Sequence, residues 1–159
     1  MVHATSDAIG HRLRVGMVGG GRGAFIGAVH RMALRLDDKI TLVAGALSAD
    51  PANALASGVE LGLAPDRCYA DFTQMAQAEG ARADAIEAVI IVTPNHMHAP
   101  VAKAFLAAGI DVICDKPLSA TLAEAEELAV LARASGLVFA VTLNNTSLCD
   151  GPPGPPDGA

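Results

Sequence analysis

Short apolar runs alternate along this chain with longer stretches in which apolar residues recur at helical spacing. The runs are LRVGMV (13–18), ITLVAGAL (40–47), RCYA (67–70), EAVIIVT (87–93), DVIC (111–114) and LVFAVT (137–142). Each is too short for a buried helix, and all but RCYA carry β-branched residues, so each predicts a strand. The intervening stretches AVHRMALRL, PANALASGVELGL, FTQMAQAEG, HAPVAKAFLAAG and TLAEAEELAVLARASG predict helices. Their punctuation agrees. Asp50 or Ser48 precedes Pro51 at a helix start, Asp71 precedes the third helix, and Thr121 with Glu124 forms the pattern of a capping box. Gly62 and Gly109 fall where helices should end. Six strands alternating with helices predict a doubly wound, Rossmann-like parallel α/β sheet in a single domain, with the order 3-2-1-4-5-6.

Composition narrows the partners. The 159 residues are 52% hydrophobic, enough for one domain with a core. Eleven scattered lysines and arginines against seventeen acids leave a net charge of −6, which argues against a nucleic-acid surface. No apolar run reaches the length of a membrane span, and the first twelve residues lack a signal-peptide core, so the expected compartment is the cytoplasm. Three widely spaced cysteines, Cys68, Cys114 and Cys149, fit neither a disulfide framework nor a zinc site. No metal is expected.

The sharpest local feature is the run Gly19, Gly20, Gly21 and Gly23 directly after the first strand. A tight strand-to-helix turn needs a residue without a Cβ, and bringing backbone amides to a pyrophosphate needs another. In the register Gly19-x-Gly21-x-x-Ala24 the phosphates lie at the positive end of the following helix. Replacing Gly21 by valine is then expected to block binding while leaving the fold largely intact. The second strand ends in Ala46, Leu47 and Ser48 without the carboxylate that holds a ribose 2′-hydroxyl, so NAD or NADP both fit. Ser48 as a donor, and Arg22 reaching over the adenine ribose, tilt the expectation slightly to NADP.

Two further strand ends carry chemistry. Thr93, Pro94, Asn95 and His98 follow the fourth run, where open α/β sheets bind ligands. Composition alone favours reading His96 and His98 as an ordinary turn with a capping imidazole, and no third ligand supports a His-x-His zinc site. Asp115, Lys116 and Pro117 close the fifth run, and the topology brings Lys116 to the same sheet edge. An amine there can bond a substrate hydroxyl, with Asp115 biasing its position.

The glycine loop, TPNHMHAP and AGIDVICDKPLSATLAEAEEL together resemble the nucleotide-binding domain of the glucose-fructose oxidoreductase and inositol dehydrogenase (Gfo/Idh/MocA) family over residues 13–142. The resemblance implies that Lys116 assists proton transfer at a sugar or polyol hydroxyl. It implies that Pro117 sets the loop beside the nicotinamide, and that Asn95 and His98 line the cofactor and substrate cleft. Family members carry a second, substrate-binding domain, which is expected to be absent here, so sugar or polyol turnover is expected only of a full-length relative. A non-catalytic dinucleotide-binding module is the alternative. Residues 1–12 are expected to be a flexible N-terminus. The Pro/Gly text of 143–159 is expected to be disordered, and reads either as an out-of-frame extension from about Asn145 or as a genuine tail. Loss of cover over the last strand is expected to favour self-association.

Overall fold

In the computed structural model, which describes residues 10–143, five of the six apolar runs become strands of one parallel sheet. The strands are β1 (Leu13–Gly19), β2 (Ile40–Ala46), β3 (Ala88–Val92), β4 (Asp111–Asp115) and β5 (Phe139–Thr142). The helices are α1 (Phe25–Leu34), α2 (Pro51–Glu60), α3 (Phe72–Gly80), α4 (His98–Ala107) and α5 (Leu122–Ser135). The order is β2-β1-β3-β4-β5, with every pairing parallel. Val18 lies beside Ala46 and Ile91, and Ile91 beside Cys114, so the carboxyl ends of β1 to β4 share one edge. This is a single-domain, Rossmann-like α/β fold.

The sixth expected strand, 67–70, does not form. Pro65–Arg67 makes a short 3₁₀ turn, with the Arg67 amide bonded to Ala64 O, and Asp71 already caps α3. What is left is one parallel bridge, Gly45 with Cys68, together with Tyr69 N–H donating to Gly45 O at 2.8 Å. The expected order 3-2-1-4-5-6 therefore survives with its outermost strand reduced to that bridge.

Local signals explain the helix starts. Asp50 accepts from Asn53 N–H, Asp71 from Thr73 and Gln74 N–H, and Thr121 with Glu124 forms the full capping box. Gly109 and Gly136 follow α4 and α5 in the left-handed conformation expected of helix-ending glycines.

Alternate strand residues build two cores. Val15, Met17, Ile90 and Val92 face one side with Leu34 of α1, while Val89, Ile91, Val112 and Cys114 face the other with Met75, Phe105 and Leu128. Each fully buried large side chain contributes about 1.5–3 kcal/mol. Glu79 is wholly buried, and Arg67, Tyr69 Oη and the Ile86 amide all donate to it, so its charge is paired and its oxygens satisfied. At the amino end, His11 bonds Glu87 at 3.1 Å and Arg12 pairs with Asp38. The expected flexible N-terminus falls mostly on residues 1–9 and the expected tail on 144–159, both outside the described residues.

Candidate functional site

A cleft of ≈ 620 Å³ opens at the carboxyl edge of β1, β2 and β3. Gly19 and Gly20 floor it, Ser48 and Phe72 stand at the β2 side, and Thr93 and Pro94 at the β3 side. That volume suits an extended small ligand, and its position is the one open α/β sheets use.

The floor is shaped by missing side chains. Gly19 and Gly20 have φ of 80° and 73°, a region that side chains rarely adopt. A Cβ on Gly20 would sit 2.9 Å from Gly27 Cα, and one on Gly27 would sit 2.5 Å from Gly20 Cα, so this pair lets α1 lie against the strand end. Gly23 also has positive φ, but a Cβ there would meet only open space. Ala24 is the N-cap of α1 and lines the cleft, which directs the helix's positive end at the space above the glycines.

Gly21 differs from the role its spacing suggests. Its amide donates to Leu47 O at 3.0 Å, and an added Cβ would lie 2.7 Å from both Leu47 O and Ser57 Oγ. Within the fold, the close approach it permits is to Leu47 at the end of β2 and to Ser57 of α2. The Arg22 amide is committed as well, donating to the buried Ser57 Oγ at 3.0 Å. The Arg22 guanidinium turns away from the cleft and pairs with Glu60 at 2.6 Å, across a separate ≈ 270 Å³ hollow between the loop and α2. That hydrogen bond holds the Glu60 carboxyl below its usual range. Sequence reasoning missed Ser57 and Glu60. Both act across a helix, and no local pattern announces such a partner.

Ser48 does line the cleft. Its hydroxyl oxygen accepts from Asp50 N–H at 3.1 Å and from Asn53 Nδ2 at 3.2 Å, which leaves its proton to donate. At the β3 end the Thr93 hydroxyl is buried and has no internal partner among the described residues. His96 and Met97, which sequence reasoning did not select, line the same wall.

His98 lies behind the wall instead of on it. It is buried, with Nδ1 2.6 Å from Pro117 O and Nε2 2.9 Å from Thr93 O, and so joins the β3 loop to the β4 loop. The Lys116–Pro117 peptide is cis. Lys116 and Pro117 are exposed just beyond β4, and Asn95 is exposed beyond β3. Asp115 is buried and points to the α1 side. Thr142 Oγ1 donates to it at 2.8 Å, and His30 Nε2 lies 3.8 Å away. Cys114 is fully buried, and burial together with the Asp115 charge pushes its thiol up to about 12, so it is not a nucleophile at neutral pH. No cluster that could hold a metal ion occurs among the described residues.

A parallel sheet with a glycine-floored cleft at its carboxyl edge and a helix N-terminus aimed into it defines a dinucleotide-binding domain of the Rossmann type. The oxidoreductase family model with an NAD-binding Rossmann fold, Gfo/Idh/MocA, matches residues 13–143, and the chain belongs to that family. The uncharacterized oxidoreductase YfiI of Bacillus subtilis is 44% identical over 131 residues, covering 82% of this chain and 33% of that protein. An oxidoreductase from Sinorhizobium meliloti superposes with a TM-score of 0.81 at 59% identity, over 85% of this chain and 37% of the other. An inositol dehydrogenase homolog from Azotobacter vinelandii, solved with NAD+, gives 0.80 at 45% identity, over 83% and 34%. The chain thus spans about one third of the length of these relatives. No helix among the described residues is long and apolar enough to cross a membrane.

Proposed function

We propose that this domain binds NAD or NADP in the ≈ 620 Å³ cleft, with the adenosine near Ser48 and Phe72, the pyrophosphate over Gly19–Ala24, and the nicotinamide towards Thr93, Pro94 and Asn95. The observation that carries the reading is a cleft at the carboxyl edge of the sheet whose floor only glycine can form, with the N-terminus of α1 beside it. In a protein that contains this domain, the reading extends to oxidation of a sugar or polyol alcohol. The bound nicotinamide supplies a hydride acceptor. The exposed Lys116 side chain hydrogen-bonds the hydroxyl and assists the departure of its proton as the carbon–oxygen bond becomes a carbonyl. Asp115 and Pro117 set the lysine's backbone, and His98 anchors that loop through Pro117 O. The polyol class draws support from the Azotobacter homolog, which has also been solved with NADH and myo-inositol. Of the two features that tilt the choice to NADP, Ser48 lines the cleft and supports it, whereas Arg22 is occupied by Glu60. The two described cysteines are free, which suits a reducing cytoplasm.

Titration of the chain with NADH and with NADPH, followed by nucleotide fluorescence or calorimetry, tests the reading. Saturable binding of either one, lost in Gly20→Val, is expected. No binding of either would overturn it.

A further inference from the structure

The end of β2 and the loop after β1 are joined more tightly than dinucleotide binding alone explains. Gly21 N–H donates to Leu47 O, one residue before Ser48, and Arg22 N–H donates to Ser57 Oγ. The Arg22 backbone is therefore fixed beside the segment where an adenine ribose would lie, and its long, jointed side chain starts within reach of it. No lysine or arginine lines the cleft among the described residues. Arg22 is instead drawn to the far side of its loop by Glu60, the last residue of α2. Both partners are about half exposed, at 50% and 54%, so the pair is a weak tether that a stronger anion can displace.

We infer that Glu60 determines cofactor choice by holding Arg22 away from the 2′ position of the adenine ribose. The inference rests on the dinucleotide reading above. A guanidinium binds phosphate oxygens with its planar fork, and a ribose 2′-phosphate is a doubly charged acceptor, whereas a 2′-hydroxyl offers no charge. Ser48, whose oxygen already accepts two N–H groups, presents its proton to the same place. Arg22 and Ser48 therefore make a two-donor site for the phosphate, and Glu60 competes for the stronger of the two. NADH binding does not use Arg22 and is indifferent to the competition.

The test is the ratio of NADPH to NADH affinity in the wild-type chain, in Glu60→Gln, and in Glu60→Gln combined with Arg22→Ala. Glu60 is exposed at a helix end, and glutamine keeps its shape, so the fold is retained. Glu60→Gln is expected to raise the ratio about two- to fivefold, the range that release of an exposed ion pair allows. Adding Arg22→Ala is expected to return the ratio to the wild-type value or below it. An unchanged ratio in Glu60→Gln would overturn the inference. So would a gain that persists without Arg22, which would mean simple repulsion between Glu60 and the phosphate. If the wild-type chain and both variants bind neither nucleotide, it is the dinucleotide reading itself that fails.

Discussion

The ends of β1 and β4 stand at the same edge of one sheet and are made by opposite means. The β1 end is shaped by absent side chains: Gly20 and Gly27 touch because neither has a Cβ, and Gly21 fits under Leu47 and Ser57 for the same reason. The β4 end is shaped by buried polar side chains. The His98 ring sits between Pro117 O and Thr93 O, and Thr142 Oγ1 donates to Asp115. A loop of the first kind fails when atoms are added, and a loop of the second kind fails when a partner is removed or a charge is introduced.

Adding atoms at the β1 end should have the largest effect. Gly21→Val is expected to lose stability by about 3 kcal/mol or more, because the new side chain meets a carbonyl and a buried hydroxyl that themselves hold the loop. Thermal unfolding and an NADH titration on the same sample check this. Unchanged stability with binding alone lost would show that Gly21 faces the ligand after all, and the contrast between the two ends would break.

Charge at the β4 end comes next. The Cys114 thiol keeps its proton in the fold up to about 12, while the unfolded chain releases its own near the ordinary thiol value. The unfolded state therefore binds fewer protons above that value, and stability should fall as pH rises from about 9 to about 12. The shift bounds the loss at about 4 kcal/mol. Cys114→Ala should flatten that part of the pH profile in urea unfolding. An equally steep profile would assign the slope elsewhere, with Tyr69, also pushed up to about 12 by burial and Glu79, the first alternative.

Removing a partner should cost less. His98→Ala leaves two carbonyl oxygens without their imidazole neighbour and is expected to cost about 1–3 kcal/mol. It should loosen the Lys116 loop while NADH affinity stays within a fewfold of wild type. Amide hydrogen exchange across 115–119 reads this directly, and unchanged protection there would remove His98 from the lysine loop. Thr142→Val should have the smallest effect, about 1 kcal/mol, because Asp115 loses one hydroxyl donor. A loss as large as that of His98→Ala would mean that β5 anchors the motif more strongly than the single bond implies.

Features written in neighbouring residues were legible in the sequence. The strand runs, the caps at Asp50, Asp71 and Thr121, and the glycine loop all announce themselves within a few positions. The run at 67–70 misled because β-rich residues sit between a proline turn and a helix cap, which leave backbone for only one bridge. The Arg22–Glu60 pair, the Ser57 support and the two-sided grip of His98 join residues far apart in the chain. Their geometry exists only after the crossovers place α2 beside the glycine loop and α4 beside the β4 loop. The aspartate of the lysine motif was legible as a type but not as a contact, since its hydroxyl partner lies on the next strand.

The strand order also has a consequence for how the molecule is made. A chain synthesised from its amino end, at about 5–20 residues per second, releases β1 first. β2 then joins one edge of β1 and β3 the other, β4 joins β3, and β5 joins β4. Each strand leaves the ribosome when the edge it pairs with is already complete, and none has to be threaded between two strands that have met.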